Sequence, residues 1–387
     1  MTVPFRIREA GLEDNDRLIE LARHCPSRGR LQMYTDRYPD FFAMTRQQGE
    51  RSHVWVAESL QGDLVASAVF IERSEELDGR TIKVLHFGDL RIHPGVRRTR
   101  VTAKMIQIYS DLLKRGNFQR GVVEILKSNA APSRANTLLR NEMHIQSEAH
   151  VTMFKLLPVI NYKISKDWTY RQANERDLPA LSRLLQDFYR NVKGAPNFSL
   201  EWLVAATQKH SSFNLSHVLL AINERGEISA CLGLWDQSAL RKTIVLRYSR
   251  ILKFFVRLLA FMGLLWKMPP LPKAGRSLHF SYLRWMAFRK DEPAALKSLV
   301  RFALRKTRQD GKKQFLIFGV NERDPLRSSI SGIFKLKEPM HVYSHYPKEA
   351  FRLKHAKNRL SRETDSKSLR AELPLPSQKI YIDLALI

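Results

Sequence analysis

Two residues near one end of a strand-like stretch have side chains suited to moving a proton, and the turn beyond them has side chains suited to holding phosphate. Asp89 lies within Leu85-His86-Phe87-Gly88-Asp89-Leu90-Arg91-Ile92, and His93 follows directly. A carboxylate or an imidazole so placed serves as a general base towards an amine, directly or through one water. Arg97, Arg98 and Arg100 come next, ahead of a helix-like run from about Val101 to Lys114. Guanidinium groups beside a helix N-terminus combine charge-assisted hydrogen bonds with the positive end of the dipole, a setting for phosphate. Asp89 is the first candidate base, with an ion pair to Arg91 or Arg97 as its competing role. His93 is the second, with a turn before Pro94 as its competing role.

The elements that must position these residues occur twice. Leu85 to Ile92 returns as Leu278-His279-Phe280-Ser281-Tyr282-Leu283-Arg284-Trp285, an offset of 193. Arg8-Glu9-Ala10 through Asp14 resembles Arg171-Gln172-Ala173 through Asp177 at an offset of 163, and His53-Val54 resembles His217-Val218 at 164. The jump of 29 places an insertion in the second copy between Gly226 and Leu278. A repeat of this kind fixes the architecture before any local reading. The return of His86 as His279 points to a packing role for that histidine.

Within the first copy, Phe5 to Ile7, Val54 to Ala57, Leu64 to Ile71, Lys83 to Ile92, Val122 to Leu126 and Val151 to Leu157 read as strands. Asp14 to Arg23, Val101 to Lys114 and Ser133 to Leu139 read as helices. The turn at Gln61-Gly62-Asp63 makes the second and third strands a hairpin. The fold class expected is α+β: two tandem domains, each a mixed twisted sheet flanked by helices, with equivalent topology and an amphipathic helical insertion in the second. Residues 1–160 form the first domain, 168–347 the second with its insertion at about 240–276, and 348–387 a basic tail with a final strand-like stretch at Lys379 to Leu384.

A strand ending Leu90-Arg91-Ile92-His93-Pro94, then an arginine-bearing turn, then a helix with Met105-Ile106, resembles the signature region of the GNAT superfamily of acyl-CoA N-acyltransferases, here in tandem form. The resemblance implies acyl-CoA or acetyl-CoA as donor substrate and no metal. It places the donor along Leu90 and Ile92, its phosphates at Arg97, Arg98 and Arg100, and its pantetheine arm near Asn129, whose counterpart is Asn321. Both glycines of the family's phosphate turn are replaced, by Arg100 and Thr102, and the family's general-acid tyrosine has no match after Asn129. Tyr109 lies on the long helix, where a core role competes. In the second copy Lys290 stands opposite Arg97, with Asp291 and Glu292 close to the phosphate position, so the first domain is expected to bind the donor and the second to shape the acceptor site.

Composition supplies the remaining expectations. The chain has 387 residues with 65 Lys and Arg against 38 Asp and Glu, a net charge of +27, which calls for anionic partners. Its two cysteines, Cys25 and Cys231, fall in different copies and indicate neither a disulfide framework nor a thiolate metal site. No secretory leader or membrane-spanning run is evident, so the location expected is cytoplasmic, with peripheral attachment to the inner membrane through residues 241–267, which combine Arg250, Lys253 and Arg257 with Phe254, Phe255, Leu258 and Phe261. The competing role of that segment is a buried helix. Together these features suggest an N-acyltransferase moving an acyl group from acyl-CoA, or from an acidic acyl carrier protein, to a lipid-like amine such as a sphingoid base, as in bacterial GNAT-type ceramide synthases; N-acyl amino acid synthases share the logic. A soluble N-acetyltransferase acting on a small amine or a protein, and a non-catalytic GNAT-like binding protein, are the alternatives. Basic residues spread along the chain without an aromatic stacking module argue against nucleic acid as partner. A deep apolar tunnel at the strand of residues 85–92 would mark long-chain chemistry, and a short polar pocket acetyl transfer.

Overall fold

The computed structural model describes residues 4–27, 29, 31–77, 80–97, 100–126, 143–209, 212–250, 252–253, 270–347 and 381–384. In the first copy the order is β1 (Phe5–Glu9), α1 (Asn15–His24), β2 (Leu31–Asp36), α2 (Phe42–Gln48), β3 (Arg51–Ser59), β4 (Leu64–Leu77), β5 (Arg80–Ile92), α3 (Val101–Arg115), β6 (Arg120–Leu126) and β7 (Met143–Leu156). The second runs β8 (Thr169–Gln172), α4 (Leu178–Tyr189), α5 (Leu200–Lys209), β9 (Val218–Ile222), β10 (Ile228–Trp235), β11 (Lys242–Tyr248), β12 (Ser277–Leu278), β13 (Phe280–Phe288), α6 (Pro293–Asp310), β14 (Phe315–Asn321) and β15 (Lys335–Pro347).

The copies begin with the same local device. Arg8 Nη1 donates to the buried Asp14 carboxylate at 2.6 Å, and Gly11 N–H donates to the same group; Arg171 Nη1 and Asn174 N–H do the same for Asp177, the arginine at 2.7 Å. Each carboxylate thereby satisfies backbone donors where a helix starts. α1 then buries Leu18, Ile19, Leu21 and Ala22, and α4 buries Leu181, Leu184 and Leu185, the spacing of one apolar helical face.

The repeated strand order is present, but the two sheets are fused. One twelve-stranded sheet runs β1-β3-β4-β5-β6-β15-β7-β14-β13-β10-β9-β8. The copies have exchanged their last strands: β15 lies between β6 and β7, while β7 pairs antiparallel with β14. α3 packs on one face of the first half, over Phe70, Leu85 and Phe87, and α6 covers Phe154, Leu283 and Phe318 in the second half. Across the other face lie α1 with Val54, Val56, Val69 and Ile71, and α4 and α5 with Leu220 and Trp285.

Three sequence expectations change. Lys242–Tyr248 is a strand, not the start of a helix; it pairs with β2 of the first copy and with β12 in a three-stranded sheet that ties the copies together. Its Thr243, Val245 and Tyr248 suit a pleated surface. A helical turn begins only at Arg250, and residues 251 and 254–269, with Phe254, Phe255, Arg257, Leu258 and Phe261, fall outside the described residues. So do the helix expected at Ser133 to Leu139 and residues 348–380 of the tail. Residues 381–384 are described and form no ladder strand; they lie against the second copy, with Tyr381 edge-on to Tyr189 and Leu384 over Gly319. β2 and α2 went unread in the sequence. Among the described residues, no helix is long and apolar enough to cross a membrane.

The third change is register. In the first copy Val69 pairs with Gly88 and a bulge follows at Asp89; in the second Gly233 pairs with Arg284 and a bulge follows at Trp285. Asp89 and Trp285 both take a left-handed conformation, with φ of 43° and 53°. Gly88 therefore corresponds to Arg284, an offset of 196, three residues beyond the sequence match. An odd slip turns every side chain to the opposite face, so backbone pairing decides.

Candidate active site

β5 and β6 pair in parallel only from Val84↔Arg120 to His86↔Val122, and the ladder stops there. Just beyond, β5 bulges at Asp89, and on the α1 and α2 face of the sheet a cleft of about 120 Å³ opens. It is lined by Thr35, Arg37, Gln48, Val69, Ile71, Arg73, His86, Gly88, Asp89, Arg91, Glu124 and Arg241. Strand alternation sends His86 and Gly88 of β5 and Glu124 of β6 to this face, while Leu85 and Phe87 go to the α3 face. Arg37 comes from the turn after β2 and Arg241 from the second copy, just before β11. The inter-copy sheet thus completes the cleft.

Asp89 is an ion-paired carboxylate. Arg37 Nη2 lies 2.6 Å from one oxygen and Arg91 Nη2 2.9 Å from the other. Burial pushes the carboxyl up, but Arg91 and then Arg37 outweigh it and hold its pKa at about 2. A carboxylate so stabilised has little affinity for an amine proton, which makes it a weak base and a strong anchor for two guanidiniums. Arg37 is 2 % exposed, stands 4.6 Å from the centre of the Phe41 ring, and has its own pKa lowered to about 10 by burial, which Asp89 partly opposes.

Behind the cleft stands a second cluster. His86 Nε2 is 3.0 Å from Glu75, and His86 Nδ1 is 3.4 Å from Glu124. Arg120 pairs with the other oxygen of Glu75. Burial raises the Glu75 and Glu124 carboxyls, yet both end lowered, Glu75 chiefly by Arg120 and Glu124 chiefly by His86. Glu124 and His86 reach the cleft and Glu75 does not, so the series runs from cleft to core as Glu124, His86, Glu75, Arg120. The packing role expected for His86 gives way to this polar one. In the sequence, a glutamate between Val122 and Leu126 was the available signal: a carboxylate at the inward register of a buried strand.

The other sequence candidates lie along the turn. His93 Nδ1 accepts from Gly95 N–H at 3.3 Å, the local turn bond that competed with a catalytic role. Leu90 is partly exposed and Ile92 half-buried. Arg97 Nε donates to the Ile92 carbonyl at 3.2 Å, and Arg100 is an exposed residue preceding α3. Arg98 and Asn129 lie outside the described residues. Tyr109 is fully buried against Phe70 and Phe87 and bonded to His345, so it belongs to the core.

At the equivalent bulge of the second copy, described side chains occupy the space. Arg284 fills the position of Gly88, ringed by Phe213, Trp235 and Trp285 with centroids 4.8, 4.8 and 4.9 Å away and paired at 2.8 Å with Asp383. Gly233 makes room for it: a Cβ there would stand 2.8 Å from Phe213 and 3.2 Å from Arg284. The turn is also shorter, since α6 starts at Pro293, eight residues after Trp285, whereas α3 starts at Val101, twelve after Asp89. Lys290 therefore does not stand opposite Arg97. Asp291 lies 3.5 Å from Arg289, and Glu292 accepts from Trp168 Nε1 at 3.2 Å and Asn223 Nδ2 at 3.1 Å, so both carboxylates are tied into the turn.

Comparison of the whole structure places the chain among known folds. No family model matches the sequence, and no curated protein matches it either. Solved structures do. The fold is that of the GNAT N-acyltransferases in tandem form. One match is Saccharomyces cerevisiae N-myristoyltransferase with bound myristoyl-CoA, at 9% identity and a TM-score of 0.56, covering 89% of this chain and 80% of that one. Another is a tandem GNAT protein from the clavulanic acid biosynthesis pathway, at 9% identity and a TM-score of 0.54, covering 88% and 98%. A GCN5-related glucosamine N-acetyltransferase region within a fungal multidomain β-N-acetylglucosaminidase matches at 10% identity and a TM-score of 0.57; this chain spans 38% of that longer protein.

Proposed function

We propose that this protein transfers an acyl group from acyl-CoA to an amine, and that the first copy alone carries the chemistry. The observation behind this reading is the cleft at the β5 bulge, open and lined with ionisable groups in one copy and filled by Arg284 in the other. In this reading the donor's pantetheine arm runs where β5 and β6 part, past Leu90, Ile92 and Asn129, and its phosphates meet Arg97, Arg98 and Arg100. The amine nitrogen attacks the thioester carbonyl, a C–N bond forms, and the C–S electron pair leaves on sulfur. The amine proton passes to Glu124, whose contact in the cleft is the His86 imidazole rather than a pair of guanidiniums, and then neutralises the thiolate. Asp89 holds Arg37 and Arg91 in place and takes no proton. His93 shapes the turn.

A cleft of about 120 Å³ lined mainly by charged and polar residues favours a small acceptor over a sphingoid-like amine, because a long chain needs an extended apolar channel. Thiol release from acetyl-CoA in the presence of small amines tests the reading. Glu124→Gln is expected to lower kcat by about 10²-fold with donor KM little changed, and to flatten the fall in kcat expected of the parent protein as pH drops through the lowered Glu124 carboxyl. Near-normal turnover in that variant would return the base to Asp89 or His93.

A further inference from the structure

The cleft holds more positive charge than its chemistry needs. Four of its lining residues are arginines, Arg37, Arg73, Arg91 and Arg241, against two carboxylates, Asp89 and Glu124. Asp89 is shared by Arg37 and Arg91. That leaves Arg37 Nε, Arg37 Nη1 and Arg91 Nε buried with no hydrogen-bond partner among the described residues. Burying a guanidinium nitrogen without an acceptor is costly; Arg284 Nε and Nη1 are orphaned too, but beneath aromatic rings, whereas Arg37 and Arg91 line a cleft in which a ligand can supply the oxygen. Lowering of the Arg37 pKa by burial accords with that incomplete pairing.

We infer that the acceptor amine carries a carboxylate, which binds at Arg37 and Arg91 and so presents the amino group to Glu124. The inference rests on reading the cleft as the acceptor site and names the class of molecule that enters it: a small amino acid or a compact amine with an acid group. A donor phosphate is not the anion in question, since the arginine turn leads to α3 on the opposite face of the sheet from α1, α2 and the cleft. A carboxylate is planar and accepts from converging guanidiniums, which suits two arginines already held by one aspartate. Its charge also offsets the excess of the four arginines, whereas a simple alkylamine would add a cation to them.

Two measurements on the full chain separate this inference from the acyltransferase reading. The first compares acetyl transfer to matched acceptors: an amino acid panel, the corresponding decarboxylated amines, and a phosphonate series in which the carboxylate is replaced. The carboxylated members are expected to exceed their decarboxylated partners by about 10²-fold or more in kcat/KM, because a site built to bond a group rejects analogues lacking it. Transfer to decarboxylated amines at equal or higher efficiency overturns the inference and leaves the acyltransferase standing; preference for the phosphonates overturns the carboxylate assignment. The second is calorimetry with N-acetyl amino acids against N-alkylacetamides, on the parent protein and on Arg37→Gln/Asp89→Asn, which removes Asp89 together with one of the two arginines that share it. Tighter binding of the acids, lost in the double variant, upholds the inference even if no amine is acetylated, an outcome that would sink the acyltransferase reading alone. Acids bound no better than the alkylacetamides by the parent protein overturn it.

Discussion

At the bulge of β5 the first copy has Gly88 and Asp89; at the bulge of β13 the second has Arg284 and Trp285. Both bulged residues take a left-handed backbone, which is uncommon for aspartate and costly for tryptophan. The irregularity therefore belongs to the fold and survives in both halves, while the side chains decide what it is for. Where the residue before the bulge is glycine, space remains and charged groups gather around it. Where it is arginine, three aromatic rings and Asp383 turn the same place into core.

Exchanging that residue is the most direct way to break the comparison. Gly88→Met should cut acyl transfer by about 10³-fold or more, since its side chain would occupy a cleft of about 120 Å³ without adding a cation to the arginines there. A Cβ at Gly88 meets nothing closer than 4.0 Å, so the backbone tolerates the change. Turnover near the parent value would show that the chemistry lies elsewhere. The converse, Arg284→Met, should cost stability: about 3 kcal/mol or more, because Asp383 loses its buried partner, with kcat per folded molecule unchanged. Denaturant titration and active-site titration read the two quantities separately. The smallest effect is expected in the turns. Arg97→Ala with Arg100→Ala should weaken acyl-CoA binding about tenfold or more, whereas Arg289→Ala with Lys290→Ala should leave it unaltered and keep one donor site per chain. Equal losses in both pairs would make the two turns equivalent and end the asymmetry.

Local patterns made much of this readable. Arg8 with Asp14 and Arg171 with Asp177 were legible as a repeat because a helix start demands the same acceptor twice. Strand order followed from the repeat. The exchange of β7 and β15 was hidden, since either strand satisfies the same hydrogen-bonding pattern and nothing in composition says which neighbour it takes. The cleft was half legible. Asp89 was visible as an acid near arginines, but its two partners lie 52 residues upstream and two downstream, and only folding puts Arg37 beside it. Glu124 and His86 are separated by 38 residues and joined by a three-residue parallel ladder. The match of Leu85-His86-Phe87 with Leu278-His279-Phe280 misled by three residues because sequence similarity does not see a bulge.

The exchanged strands bear on how this protein is made. As the chain leaves the ribosome, the first copy has its α3 layer and β6 long before β15 exists, so the edge of β6 has no native partner and β7 is the nearest strand able to take the place. That pairing would lock the seam without its central member. Completion waits for residues 335–347, and neither half is a finished folding unit until both have been synthesised. A truncated first copy would carry every cleft residue but Arg241 and still lack the strand that fills its own sheet.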